Sequence, residues 1–146
     1  MFDKAVLLAS QAHLGQRDKG GKAYILHPMR IAMRLRTDDE ELMCIAILHD
    51  AVEDSDLTFE DLEREGFSSR VVNALRLLTH KEGQSYSEYI SDMQHNKDAL
   101  RVKREDLRDN SDITRLKGLR GKDFERMKKY STAFVTINEY LEKFDC

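Results

Sequence analysis

Apolar residues recur along the chain at the spacing of an α-helix. Phe2, Val6, Ala9 and His13 follow one another at intervals of three or four residues, as one face of a helix requires. The alternation of apolar and polar residues that is typical of a strand does not extend far in any segment. The pattern therefore predicts an all-α protein.

Several helix ends can be predicted from the residues that stand there. Pro28 fits the first position of a helix, because its missing N–H would have no partner within the helix there. Asp38–Glu41 places negative charge in the first turn of a helix through Leu48, where the helix dipole favours it. Thr58 and Asp61 form the pattern of a capping box before a short helix. Further helices are predicted over residues 69–79, 85–93, 98–109 and 122–143.

Length and composition fit a single domain. The chain has 146 residues, of which 40% are hydrophobic, and we find no internal repeat, low-complexity tract or linker. Residues 1–146 are therefore predicted to form one compact helical domain. With 24 basic and 27 acidic residues, the net charge of −3 argues against a nucleic-acid binder, which usually carries a basic surplus. It leaves room for a small basic pocket that binds phosphate.

Neither the cysteines nor the hydropathy indicates export or a membrane. Cys44 and Cys146 lie far apart and form neither a ligand pair nor a disulfide framework. The first residues lack the long apolar region of a signal peptide, and no stretch approaches the length that spans a bilayer. We therefore expect a cytoplasmic protein without a membrane partner, and its oligomeric state stays open.

The dipeptide His49-Asp50 follows a strongly apolar run, residues 42–48. A carboxylate beside an imidazole at the end of a buried helix is costly unless another group compensates it. A divalent metal is one such group, because neutral imidazole and carboxylate both bind first-row metals. The alternative is a helix end that faces solvent, which is the more frequent case for an isolated His-Asp pair.

Two further residues favour the metal site. His27 stands at the start of the preceding helix and Asp106 lies on a helix far downstream. Together with His49 and Asp50 they would bring two imidazoles and two carboxylates from three elements. Such mixed ligands suit Mn, Fe, Zn or Co and leave positions open for water and substrate.

Glu53 and Asp54 come directly after the dipeptide. If the helix continues past Asp50, they share a face with His49 and Asp50, because residues three or four apart are neighbours on a helix. Carboxylates near a metal are suited to accept a proton from water or to protonate a leaving oxygen. The alternative is an acidic turn exposed to solvent.

Three segments carry a resemblance to a known family. They read AHLGQRDKGGKAYILHP at 12–28, AILHDAVEDSDLT at 46–58 and VKREDLRDN at 102–110. In these segments the chain resembles the HD-domain hydrolases of the RelA/SpoT type, particularly the small alarmone hydrolases without a synthetase half. The first two segments are specific, and the third is looser. The resemblance implies an HD-type helical bundle.

The resemblance also implies a reaction and a set of functional residues. Family members hold Mn²⁺ and remove pyrophosphate from the ribose 3′ position of guanosine tetra- or pentaphosphate, which gives GDP or GTP. Carried over by position, the metal ligands are His27, His49, Asp50 and Asp106, the catalytic acidic pair is Glu53 and Asp54, and the nucleotide-binding residues include Arg17 and Asn110.

Other residues near these motifs have two interpretations each. Lys19, Lys22 and Arg17 could neutralise substrate phosphates, and Arg17 could instead stack on the base. An exposed loop is the alternative for the two lysines. Tyr24 could line the pocket or close the core. We expect His13 to be a core residue or to support the site from behind its ligands.

The third segment departs from the usual family sequence, VKLADRLHN. Arg104 and Glu105 replace Leu and Ala, and residues 107–109 read Leu-Arg-Asp in place of Arg-Leu-His. Asp112 and Ile113 stand where the alarmone hydrolases usually carry an arginine and a threonine that contact substrate. Alternatives therefore stay open: a hydrolase of NADPH, of the adenine analogue of the alarmone or of a nucleoside phosphate, and an HD module that binds a nucleotide without catalysis.

Overall fold

The computed structural model describes residues 1–145, and all of its regular structure there is helical. This confirms the predicted all-α class. The only β-type pairing among the described residues is one isolated bridge between Arg17 and Ala23. The helices are α1 (Phe2–Ala12), α2 (Leu26–Arg34), α3 (Glu40–Leu48), α4 (Ala51–Asp54), α5 (Phe59–Arg64), α6 (Ser69–Leu78), α7 (Tyr86–Asp92), α8 (Lys97–Asn110) and α9 (Gly121–Glu142), with a short 3₁₀-helix at Ile113–Arg115.

Most helices begin at a side chain that caps the backbone. Asp39 accepts a hydrogen bond from the backbone N–H of Leu42 at the start of α3. Thr58 and Asp61 form the predicted capping box of α5, each side chain accepting from the other residue's backbone N–H. These caps satisfy N–H groups that have no partner within the helix. They explain why these boundaries could be predicted from sequence.

α3 is the central helix of the bundle. Leu42, Ile45 and Leu48 are completely buried on it, and every residue from 44 to 48 is buried. α1, α2, α6 and α8 pack around it. A helix that is apolar on all sides must be covered on all sides, which is why the apolar run occupies the centre. Cys44 is buried here, whereas Cys146 lies beyond the described residues.

One predicted helix start was wrong by two residues. α2 begins at Leu26, so Pro28 occupies its third position and His27 its second. Proline is tolerated there because the first N–H groups of a helix have no acceptor within it. The imidazole of His27 therefore projects from the first turn of α2 toward α8.

The predicted helix through Leu48 is confirmed, and it does not continue past Asp50. α3 ends at Leu48, the backbone turns at His49 and Asp50, and the four-residue helix α4 follows. The turn places two polar side chains at the end of the most buried helix. None of the helices within residues 1–145 combines the length and apolar character needed to cross a lipid bilayer.

Candidate metal centre

Four side chains from three regions of the chain converge on one point. His27 comes from α2, His49 and Asp50 from the turn after α3, and Asp106 from α8. Each offers one ligand atom, and these atoms all lie within 4.8 Å of one another. We call these four residues the quartet. They are the residues that the sequence predicted as metal ligands, and the structure brings all of them together.

Within the quartet, imidazole nitrogens face carboxylate oxygens. Asp106 Oδ1 lies 2.8 Å from Nε2 of His27 and 3.3 Å from Nε2 of His49. Asp50 Oδ2 lies 3.0 Å from Nε2 of His49 and 3.7 Å from Nε2 of His27. The four atoms therefore surround a small volume in which oxygen and nitrogen donors alternate.

The contacts of His49 show why this volume suits a cation. Its Nδ1 lies 2.7 Å from the carbonyl oxygen of Ala46, which can only accept, so Nδ1 carries a proton. In the neutral ring, Nε2 then presents a lone pair toward two carboxylate oxygens. This nitrogen is buried and has no hydrogen-bond partner within the described part of the chain. The lone pair of Nε2 and the carboxylate oxygens repel one another unless a second proton or a metal ion lies between them. Imidazole nitrogen and carboxylate oxygen are ligands that fit a divalent metal.

The pKa values of the quartet show how strongly its members interact. Burial alone would lower the pKa of His49, but the charges of Asp50 and Asp106 outweigh it and raise that pKa well above its ordinary value. Burial would likewise raise the pKa of Asp50, yet the adjacent His49 lowers it to about 2. In the absence of metal, protons on the imidazoles therefore balance the carboxylates, and a metal ion must displace them.

Three neighbours hold the two carboxylates in place. Lys103 Nζ donates to Asp106 Oδ2 at 2.7 Å, and Asn110 Nδ2 donates to Asp106 Oδ1 at 3.0 Å. These residues stand three before and four after Asp106, so all three share one face of α8. The hydroxyl of Tyr24 donates to Asp50 Oδ2 at 2.6 Å. Sequence analysis missed Lys103, although its spacing from Asp106 was a signal that could have found it.

The predicted catalytic acids lie beside the quartet on α4, each with its own partner. Glu53 Oε1 accepts from the backbone N–H of His80 at 2.8 Å, and burial raises the pKa of Glu53 despite that bond. Asp54 Oδ2 accepts from Gln16 Nε2 at 3.1 Å. The other end of that amide, Oε1, lies 2.8 Å from Nδ1 of His13, which is buried and is not a member of the quartet.

A cavity of about 300 Å³ opens beside the quartet, and we call it the site cavity. A larger groove of about 460 Å³ between α7 and α9 contains no member of the quartet. The four residues predicted to bind substrate all line the site cavity. Its walls consist of Arg17, Asp18, Lys19, Gly20, Tyr24, His27, Asn110, Asp112, Arg115, Leu116, Arg126, Met127 and Tyr130.

Several residues that line the site cavity were not predicted from the sequence. Arg126 and Tyr130 come from α9, and Arg115 comes from the 3₁₀-helix. They meet the loop around Lys19 only because the chain folds back across the site, and no local motif marks them. Desolvation and the nearby charge of Arg126 lower the pKa of Lys19. The cavity wall thus carries four cationic side chains, Arg17, Lys19, Arg115 and Arg126, beside the carboxylates of Asp18 and Asp112.

Comparison with known proteins identifies the class to which this fold and site belong. Residues 5–109 match the model of the HD domain, and the chain belongs to this family. A solved structure of a metazoan ortholog of SpoT, which hydrolyses ppGpp and plays a role in starvation responses, covers 97% of this chain. This chain covers 92% of that structure, with a TM-score of 0.76 and 22% identity, which shows a shared fold.

Curated relatives share shorter segments. The chain is 35% identical over 80 residues to guanosine-3′,5′-bis(diphosphate) 3′-pyrophosphohydrolase of Aquifex aeolicus, a segment that is 53% of this chain and 11% of that protein. It is 41% identical over 64 residues to the bifunctional (p)ppGpp synthase/hydrolase SpoT of Escherichia coli, 42% of this chain and 9% of that protein. The chain thus spans about a tenth of these relatives' length, and the similarity confirms the resemblance to the RelA/SpoT type.

Proposed function

We propose that residues 1–146 form one HD-type domain that acts as a metal-dependent nucleotide phosphohydrolase. Its proposed reaction removes the 3′-pyrophosphate of guanosine tetra- or pentaphosphate and gives GDP or GTP. The observation that carries the proposal is the quartet, which opens on a cavity with cationic walls. The names of the relatives support this choice of nucleotide. The proposal further includes a cytoplasmic location and no nucleic-acid partner.

The proposed metal is Mn²⁺, with His27, His49, Asp50 and Asp106 as its ligands. Two imidazole nitrogens and two carboxylate oxygens are a donor set that Mn, Fe, Zn and Co accept. Such an ion would activate a water nucleophile and polarise a phosphoryl oxygen. Tyr24, Lys103 and Asn110 contribute by holding the two carboxylates through the hydrogen bonds described above.

Glu53 is proposed to transfer protons during the reaction, and Asp54 is proposed to orient the attacking water. Water attacks the phosphorus that is bound to the ribose 3′ oxygen. The bond between this phosphorus and the 3′ oxygen breaks, and pyrophosphate leaves. The water must lose a proton and the 3′ oxygen must gain one. Burial raises the pKa of Glu53, which favours a group that accepts and returns a proton. Asp54, which accepts a hydrogen bond from Gln16, would orient the water.

The charges of the substrate are matched by the walls of the site cavity. Arg17 and Lys19 are exposed at its mouth, where they can neutralise phosphate oxygens. The planar guanidinium of Arg17 can also stack on the guanine base. Tyr24 and Asn110 line the inner wall next to the quartet.

A product analysis tests the proposal. Purified protein loaded with Mn²⁺ is incubated with guanosine tetraphosphate, NADPH, the adenine analogue of the alarmone and nucleoside phosphates, and product masses are measured. We expect pyrophosphate and GDP from the first. Asp106→Ala should abolish both metal binding and turnover, whereas Glu53→Gln should keep the metal and lose rate.

Each other outcome has a distinct meaning. Turnover of NADPH or another nucleotide instead would keep the hydrolase and change its substrate. Asp112 favours that alternative, because it places a carboxylate in the cavity wall where RelA/SpoT-type hydrolases usually carry an arginine. Metal binding without turnover of any nucleotide would favour a non-catalytic module. Full activity of Asp106→Ala would contradict the ligand assignment.

A further inference from the structure

Asp109 is a buried carboxylate directly behind the metal ligand His27. Its Oδ2 lies 2.6 Å from Nδ1 of His27, on the side of the ring opposite to the quartet. The side chain of Asp109 is completely inaccessible to solvent. A buried carboxylate needs compensation by charge and hydrogen bonds, and a single imidazole N–H supplies little of it.

Three guanidinium groups supply the compensation. Arg30 donates from Nε to Asp109 Oδ1 at 2.8 Å and from Nη2 to Oδ2 at 3.0 Å. Arg34 donates to Oδ1 at 2.9 Å, and Arg115 donates to Oδ2 at 2.8 Å. Arg115 also donates to the carbonyl oxygen of Asp109 at 2.6 Å. One carboxylate thus accepts from four side chains on two elements, α2 and the 3₁₀-helix.

The three arginines around Asp109 make it the acceptor in its hydrogen bond with His27. Asp109 Oδ2 accepts from Arg30 and Arg115. It therefore also acts as the acceptor toward Nδ1 of His27, which carries the proton. Nε2 of His27 is then the ring atom that faces the quartet and would bind the metal. A hydrogen bond from the distal ring nitrogen to a carboxylate also fixes the ring orientation and strengthens the ring as a donor to metal.

Position 109 is one of the departures from the sequence that this chain otherwise resembles. RelA/SpoT-type hydrolases usually carry a histidine there, and an imidazole cannot accept hydrogen bonds from three guanidinium groups. Arg30, Arg34 and Arg115 would lose their shared acceptor. Asp109 and its arginines therefore form a set that is adapted to a carboxylate in this chain.

We propose that Asp109 is a positioning residue for the metal centre, which sets the tautomer, orientation and donor strength of His27. The inference rests on the proposed metal site and adds a residue that contacts neither metal nor substrate. It predicts that the Asp109 carboxylate contributes to metal affinity although it lies behind the ligand.

The test measures Mn²⁺ affinity of the metal-free protein by competition with a chromophoric chelator. Asp109→Asn should weaken binding by about 10–100-fold, the usual effect of removing a partner of a metal-binding histidine. Glu105→Gln is the matched control. Glu105 is a buried carboxylate on the same helix whose side chain pairs with Arg108. Its loss should leave the affinity within about twofold, the scatter expected for an uncoupled site.

A second measurement does not depend on the folding of a variant. In protein loaded with diamagnetic Zn²⁺, ¹⁵N NMR should show His27 protonated at Nδ1, with its proton shifted far downfield by the short bond to Asp109. His27 protonated at Nε2, or an affinity loss equal in Asp109→Asn and Glu105→Gln, would overturn the inference. Asp106→Ala separates the two proposals, because unchanged affinity in Asp109→Asn beside lost binding in Asp106→Ala contradicts only the role of Asp109.

Discussion

Asp106 offers its two carboxylate oxygens to different partners. Oδ1 faces both imidazoles of the quartet, and Oδ2 accepts from Lys103. Lys103 is itself mostly buried, and burial would lower its pKa, but the charge of Asp106 raises that pKa well above its ordinary value. In the metal-free protein this ammonium is the strongest fixed positive charge that compensates Asp106.

Replacement of Lys103 should therefore affect stability mainly in the absence of metal. Lys103→Met leaves a buried carboxylate without its partner, and such changes lower the free energy of unfolding by about 3–5 kcal/mol. Bound Mn²⁺ replaces part of the missing charge, so the loss should be smaller in its presence. Urea unfolding with EDTA and with Mn²⁺ measures both values. The control is Lys97→Met, an exposed lysine at the start of the same helix, and an equal loss in both media would contradict this account.

At the scale of elements, the site depends on how loops approach helices. The loop that carries Arg17 and Lys19 packs against the 3₁₀-helix at Gly20, where a Cβ atom would lie 2.3 Å from the carbonyl oxygen of Arg115. Arg115 Nη2 lies 3.4 Å from Asp18 Oδ2 in the same loop. No side chain fits between these two backbones, so glycine sets the position of the loop.

Gly20→Ala should consequently displace the substrate-binding loop and leave the metal site intact. Because the neighbour is a backbone atom, the loop itself must move, and a shift of about 1 Å can reduce kcat/KM by about 100-fold. Metal affinity should stay unchanged, since no member of the quartet lies on this loop. Gly121→Ala serves as control, because its Cβ would meet no atom within 4 Å. Unchanged kcat/KM in Gly20→Ala would show that the loop does not position substrate.

At the scale of the whole molecule, the charged centre couples stability to pH. The pKa values of His27 and His49 are raised above 6.5, so these residues stabilise the fold below that pH. Their contribution is lost as the pH rises through the pKa values of the folded protein. Asp50 has the opposite sign: its contribution is present above pH 3.8 and is lost as the pH falls toward about 2.

Bound metal should remove the loss of stability that the metal-free protein shows as the pH rises. Without metal, the free energy of unfolding should fall as the pH rises above 6.5 and the imidazoles lose protons. With Mn²⁺ it should rise or stay level, because metal competes with those protons, and a hundredfold excess over Kd adds about 2.7 kcal/mol. Chemical unfolding at several pH values with EDTA or Mn²⁺ gives both curves. Parallel curves would contradict the competition between proton and metal.

The sequence by itself determined the helical class, most helix boundaries and the identity of the quartet. Helix periodicity and caps such as Asp39 and Thr58 are local, so they can be recognised without the fold. The quartet was predictable because its members stand in recognisable motifs. The roles of Glu53 and Asp54 stay predictions.

Only the tertiary structure decided which groups surround the quartet. The break after Leu48 separates Glu53 and Asp54 from α3, a point that the sequence had left open. Asp109 meets Arg30 and Arg34 across more than 70 positions of sequence, and α9 closes the site cavity from the far end of the chain. Burial, ionisation and the choice of hydrogen-bond partner depend on what packs nearby, and that is fixed when the helices assemble around α3.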